Sequence, residues 1–298
     1  MSEEIIMDAL PALGLVYVRA VVQRRERPDP ATECPELCAR VRRVDPDPQE
    51  LREYRAICGI ADDGTLPPTY PQVLATPLHA AIVAHADFPL PALGMVHLEN
   101  RIRQHAPIDE GARLDMECRL SGWRWDERLG VKFAIETTVR VMGEVVWESE
   151  LWALSRGKKE ALIRKDRSGR RRKKQKPGEP PACAVSVIFD ASSDLGRRYA
   201  AVCGDYNPIH LHPVTARPFG FRQPIIHGMW TLARCWAEIA DQIDSGKLEM
   251  TVRFKRPLYL PSTALISVRS VGDGELQYCC QSPQGEVVFL EGKVRSGN

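Results

Sequence analysis

The sequence has no long apolar run; none reaches the ~18–20 residues that a helix needs to cross a bilayer. It also lacks a charge bias. The formal net charge is +2 over 298 residues, so charge gives no case for a nucleic-acid or membrane partner. Met1–Met7 reads MSEEIIM, with glutamates where a signal peptide carries positive charge, so a soluble protein without such a leader is expected. The nine cysteines are odd in number and fit neither a disulfide framework nor a zinc ribbon. Cys34 and Cys38 come nearest to a ligand pair, but no partner Cys/His pair stands at zinc spacing. Buried, reduced thiols in a cytoplasmic protein are the expectation. What is present is an ordinary globular composition, 44% hydrophobic, and a length that suits one large domain or two smaller ones.

The chain repeats itself. CARVRRVDPDPQELREYRAICG, from Cys38, aligns without gaps on CAVSVIFDASSDLGRRYAAVCG, from Cys183, with eight identities. Among them are Tyr54/Tyr199, Cys58/Cys203 and Gly59/Gly204. Further on, TPLHAAIVAHAD from Thr76 aligns on PIIHGMWTLARC from Pro224, pairing His79 with His227 and Ala80 with Gly228. Then LENRIRQHAPI from Leu98 aligns on LEMTVRFKRPL from Leu248. Three windows in one order argue for two copies of one unit.

Each copy reads as strand, short helix, loop, longer helix, then several strands. In the second copy, 184–189 reads as a strand and 194–202 as a helix capped at Ser193 or Asp194. Apolar residues from Met229 to Ile243 keep helical spacing and predict a helix over 227–243. Segments 250–254, 264–271, 276–281 and 287–294 alternate as strands, as do 98–104, 114–123, 131–142 and 145–155 in the first copy. PPTYPQV, from Pro67, and HADFPLPALGMVH, from His85, read as loops able to set substrate choice. The predicted organisation is a first unit over 1–155, a linker over 156–180 and a second unit over 181–298. The linker is dense in Lys and Arg and closed by Pro and Gly. A solvated crossover is the expectation, with a polyanion site, for nucleic acid or for the phosphates of coenzyme A, as the alternative.

Residues 199–216, YAAVCGDYNPIHLHPVTA, carry the chemistry. A helix ending at Cys203–Gly204 is followed by Asp205 and His210 on a loop pinned by Asn207 and Pro208. Five positions apart on a turned loop, a carboxylate and an imidazole can face one side and hold a water between them. One group takes a proton while the other gives one, which is what adding water to a carbon–carbon double bond requires. The second element is PIIHGMW, from Pro224, where a loop enters a helix. Backbone N–H groups at a helix start are unpaired and positively polarised. At Gly228 no side chain blocks a carbonyl oxygen that gains charge there.

This stretch resembles the hydratase signature of the MaoC-like family, Tyr-x-x-Val-Cys-Gly-Asp-x-Asn-Pro-Ile-His followed after five residues by Ala. Tyr199, Cys203, Gly204, Asp205, Asn207, Pro208, His210 and Ala216 fall on it, and His227–Gly228–Met229 and FKRPLYLP from Phe254 also look like that family. The resemblance is strong over 184–294 and weak over 38–155. It implies an α+β double hotdog, two fused units in which an antiparallel sheet wraps a long helix. It also implies reversible hydration of a trans-2-enoyl-CoA to the (3R)-hydroxyacyl-CoA, by a lyase with Asp205 and His210 as acid–base pair and the Gly228 N–H on the thioester carbonyl. Asn207 would order the loop, and Pro208, His227 and Met229 would contact substrate. No metal or redox cofactor is implied, with coenzyme A entering only as part of the substrate. A homodimer is expected.

The first copy lacks the site. Ile60 stands where Asp205 would be, Thr65 where His210 would be, and Ala80 for Gly228. That half is expected to pair its sheet with the other and help form the acyl tunnel. Because Tyr54 and Cys58 match Tyr199 and Cys203, the latter two are expected to be structural. His212 is expected to face solvent. His79, His85, His97 and His105 follow no ligand spacing, so no metal site is predicted. Acyl-carrier-protein thioesters remain open as substrates, as does a non-catalytic thioester-binding module.

Overall fold

The computed structural model describes residues 3–7, 32–91, 95–126, 129–156 and 185–297. The basic linker lies outside them except for Arg156 at its start. The first half comprises β1 (Glu3–Met7), β2 (Leu37–Val44), α1 (Pro48–Cys58), α2 (Tyr70–Leu74), α3 (Thr76–Ala84), β3 (Val96–Gln104), β4 (Leu114–Asp126), β5 (Gly130–Val141) and β6 (Glu144–Arg156). The second comprises β7 (Val185–Ala191), α4 (Leu195–Cys203), α5 (Pro213–Ala216), α6 (Gly228–Ala237), β8 (Leu248–Phe254), β9 (Ser262–Gly272), β10 (Glu275–Gln281) and β11 (Val288–Ser296).

All strands join one sheet, in the order β1-β2-β4-β5-β6-β3-β8-β11-β10-β9-β7. From β2 inward and from β7 inward the order is the same, so the two halves meet where β3 pairs antiparallel with β8, from Glu99↔Arg253 to Gln104↔Leu248. This is a double hotdog, as the resemblance implied.

The short helices show why the repeat exists. Asp47 caps α1, its carboxylate accepting from the N–H groups of Gln49 and Glu50, with Pro48 in the first turn. Leu51, Tyr54 and Cys58 share its buried face, and Tyr199 and Cys203 do the same on α4. Both helices stop on a glycine in the left-handed region, Gly59 at φ 72° and Gly204 at φ 71°, which explains the shared Cys-Gly. The repeated tyrosines meet between the halves, with ring centroids 6.3 Å apart. Trp230 on α6 donates its indole N–H to the Ile57 carbonyl on α1.

Three expectations need correction. The helix predicted over 227–243 ends at Ala237, and a 3-10 turn over Ala240–Gln242 follows. Ile239 is still fully buried, so the apolar period runs on although the α-helix does not. PPTYPQV is not all loop: Tyr70–Leu74 is a helical turn with Pro71 at its start and every residue buried. The strand predicted from Leu98 begins earlier, so His97 belongs to β3. Cys58, Cys118, Cys203, Cys235 and Cys280 are buried free thiols. Among the described residues no helix is long and apolar enough to cross a membrane.

Candidate active site

Past Gly204 the chain turns into the loop that carries Asp205 and His210. Asp205 accepts the Asn207 N–H on Oδ1 at 3.1 Å. Asn207 in turn caps the 3-10 turn Pro208–His210 by accepting from the Ile209 N–H. Asn207 therefore orders the loop through its side-chain oxygen. The approach of the turn to α4 needs Gly196, where a Cβ would lie 2.2 Å from the His210 carbonyl oxygen.

His210 is buried, and its Nδ1–H donates to the Ile225 carbonyl at 2.7 Å. That bond fixes the tautomer and leaves the Nε2 lone pair facing Asp205 Oδ2, 3.9 Å away. The gap is too long for a direct hydrogen bond and suits a shared water or substrate hydroxyl. Burial lowers the His210 pKa, while the Asp205 charge and the Ile225 carbonyl pull it back up. The ring is thus a neutral base at physiological pH.

His227 has a place that its sequence position does not reveal. Its ring stacks on His210, with centroids 3.7 Å apart. Its Nε2–H donates to the Asp205 carbonyl at 2.8 Å. Its Nδ1 is buried with no hydrogen-bond partner among the described residues. Burial pushes its pKa down to about 3. It pins the loop at Asp205 while also lining the cavity. Tyr199 and Cys203 are buried as expected, but both line the cavity, and the Tyr199 hydroxyl has no partner among the described residues. Tyr54 instead bonds Thr69, so the two repeated tyrosines are not equivalent. His212 is exposed and caps α5 through Nδ1.

Gly228 opens α6, and no side chain caps that helix. Its first N–H groups are therefore without helical partners. The glycine has a second reason to be there: a Cβ would lie 2.8 Å from Cε1 of Phe254. Phe254 also packs on His97 of the first half, with centroids 4.8 Å apart. Although His97 keeps surface on the cavity, protein walls it in, and burial pushes its pKa down to about 4.

Asp205, His210, Asn207, Pro208, His227, Gly228 and Met229 all line one cavity of about 670 Å³, a size typical of small-molecule sites. Both halves supply its walls. Sequence reasoning singled out neither Phe254 nor Thr76, and it reached Gln72 and His97 as members of the two segments read as able to set substrate choice. His97 stands just before the repeat window that opens at Leu98, and Phe254 lies inside the window that opens at Leu248, but only the fold brings them to the glycine.

Asp205, His210 and His227 each offer a ligand atom, all within 4.8 Å of one another. The donor set does not suit a metal. His227 Nε2 carries its proton toward a carbonyl, which leaves two ligands where a protein site usually has three or four.

The chain is similar to known dehydratases and hydratases. A family model described as MaoC like domain matches residues 172–287, and one described as FAS1-like, dehydratase domain region, matches 61–149. The chain is 36% identical over 230 residues to 3-hydroxyacyl-thioester dehydratase X of Mycobacterium tuberculosis, spanning 76% of this chain and 78% of that protein. It is 36% identical over 66 residues to the (R)-specific enoyl-CoA hydratase of Aeromonas caviae, 21% of this chain and 48% of that one. The crystal structure of HtdX from Mycobacterium tuberculosis superposes with a TM-score of 0.74 at 30% identity, over 87% of this chain and 100% of that one.

Proposed function

We propose that this chain, which belongs to the MaoC-like dehydratase family, interconverts a trans-2-enoyl-CoA and its (3R)-hydroxyacyl-CoA by adding and removing water. It is a hydro-lyase; the stereochemistry, the carrier and the residue roles are our reading. The observation that carries the residue roles is the facing of Asp205 Oδ2 and His210 Nε2 across 3.9 Å, on the wall of a cavity that also holds the start of α6.

In the hydration direction the water sits between the two groups. His210 takes a proton from it as its oxygen bonds to the β-carbon, and the π electrons move toward the thioester carbonyl. The carbonyl oxygen gains enolate charge beside the Gly228 N–H, an interaction stronger in the transition state than in the ground state. The proton that His210 has taken is returned to the α-carbon, directly or by way of the Asp205 carboxylate, so addition is complete and both groups regain their starting protonation. Dehydration runs the same steps backward. His210 is suited to this because its Nδ1 is tied to a backbone carbonyl, so only Nε2 exchanges protons. Exposed Lys255 and Arg256 on the cavity wall suit the phosphates of coenzyme A and equally those of a carrier-protein arm.

The test is loss of enoyl-thioester absorbance with a trans-2-enoyl-CoA panel, with product hand read on a chiral column. Wild type should give the (3R) product, and Asp205→Asn and His210→Ala should each lose about 10³-fold in kcat/KM while staying folded. An inert wild type refutes hydration on coenzyme A esters, and activity retained in both variants refutes the assigned pair.

A further inference from the structure

Resting on the hydratase reading, we propose that the acyl arm of the substrate carries an uncharged oxygen function, a ketone, hydroxyl or ether, that accepts hydrogen bonds from Gln72 and Thr76 of the non-catalytic half.

One stripe of α3 faces the cavity. Thr76, His79, Ala80 and Val83, at helical spacing, all line it and all keep accessible surface. On the opposite side of the helix Leu78 and Ile82 are 0% exposed. The cavity that starts at the Asp205–His210 pair therefore runs onto the helix that lost the chemistry.

Behind that stripe lies a polar wall. His79 Nε2–H donates to the Thr137 hydroxyl at 2.8 Å, and His79 Nδ1 accepts from Gln72 Nε2 at 3.3 Å. Gln72 Oε1 accepts from the Ser149 hydroxyl at 2.8 Å and from Asn100 Nδ2 at 3.3 Å. Gln72, Asn100, Thr137 and Ser149 are all buried. In the catalytic half the buried strand positions include Met250, Cys280, Leu290 and Val294. Burying such a network costs free energy that an apolar wall would not, and a plain alkyl chain gains nothing from it.

The network also sets which group is offered. With Oε1 toward Ser149 and Asn100 and Nε2 toward His79, the Gln72 amide is assigned its N–H groups on the His79 side. One of its two N–H protons goes to His79, and the other remains for a ligand. The Thr76 hydroxyl reaches only the Gln72 carbonyl, at a long 3.4 Å, and can turn. The Gln72 N–H can only donate and the Thr76 hydroxyl can donate beside it, so the ligand atom is an acceptor. It is uncharged, because no described lining residue of the first half is Lys, Arg, Asp or Glu, and burial keeps His79 neutral with a pKa of about 3. A carboxylate there would be buried without a counter-charge. His79, Ser149 and Asn100 act as positioning residues for the amide.

The test uses saturated acyl-CoA and acyl-pantetheine thioesters, which bind without turnover. Titration calorimetry on the whole chain compares each plain chain with an equal-length chain whose keto group is walked from one carbon to the next. At one position the keto chain should bind about tenfold more tightly, the worth of a buried hydrogen bond. Thr76→Val, close to isosteric, should reduce that advantage, and Gln72→Leu should abolish it. No advantage at any position, or one that survives both variants, overturns the proposal. Turnover of plain enoyl-CoA is measured separately. An oxygen preference without turnover counts against the hydratase reading alone; turnover without preference counts against the oxygen subsite alone.

Discussion

In the first half the loop after α1 is held by a buried arginine. Arg55 is 4% exposed and bonds Asp62 and Glu110, each at 2.9 Å, and the Thr65 carbonyl at 2.7 Å. In the second half the repeat puts Ala200 in that place, and the loop after α4 is held instead by two imidazoles on backbone carbonyls. Both devices fix a loop after the same Cys-Gly helix end. An ion pair does only that, whereas an imidazole bonded to the backbone through one nitrogen keeps a second, and on His210 that second nitrogen faces Asp205. The first half holds its loop with a group that has no nitrogen to spare for the proposed proton transfer.

The sharpest way to break the contrast is to install the first half's residue at the start of α6. Gly228→Ala should lower kcat about 100-fold and cost ~1–3 kcal/mol, because the new methyl meets Phe254 and shifts the helix start. Adding Phe254→Leu should restore stability in urea melts more completely than turnover. Recovery of both would mean that the glycine serves packing alone.

A smaller and opposite pair of effects is expected from the pins. Arg55→Met should lower unfolding free energy by ~2 kcal/mol with kcat/KM little changed, since the stranded partners Asp62 and Glu110 are largely exposed. His227→Phe keeps a ring against His210 but removes the donor to Asp205, so kcat should fall about tenfold with less loss of stability. Equal effects of the two on turnover would erase the distinction between the loops.

The gentlest effect is on pH dependence. Burial holds His79, His97 and His227 at about 3, 4 and 3, against an ordinary 6.5. Below pH ~6.5 the unfolded chain takes up protons that the folded chain refuses. Stability should therefore be greatest above that range and decline as pH falls toward the folded values, by up to ~1.4 kcal/mol per pH unit for each imidazole. Urea unfolding at pH 7 and pH 5 measures it. His79→Phe should flatten the decline by about one proton. Activity should follow His210, whose lowered pKa keeps the base neutral below the usual histidine range.

The loop from Asp205 to His210 was legible because its chemistry and its turn are written in consecutive residues. The fold was legible for a related reason: the repeat aligned Tyr54 with Tyr199, and those rings do meet. What stayed hidden depends on contacts between distant strands. Nothing near Gly228 in the sequence announces Phe254 above it. Nothing in TPLHAAIV shows that Thr76 and His79 share a cavity with Asp205, because that requires β3 and β8 to be neighbours. Comparing the repeated tyrosines suggested equivalent roles, and only the partners of their hydroxyls separate them.

The β3–β8 seam also fixes a stoichiometry. A sheet built from two identical halves would present two acid–base pairs, and each would need its own acyl space beneath the shared strands. With one such pair among the described residues, on a cavity walled by both halves, the proposed reaction calls for one thioester per chain, with its tail against the first half. Saturation at one equivalent of ligand per chain is the signature of that arrangement.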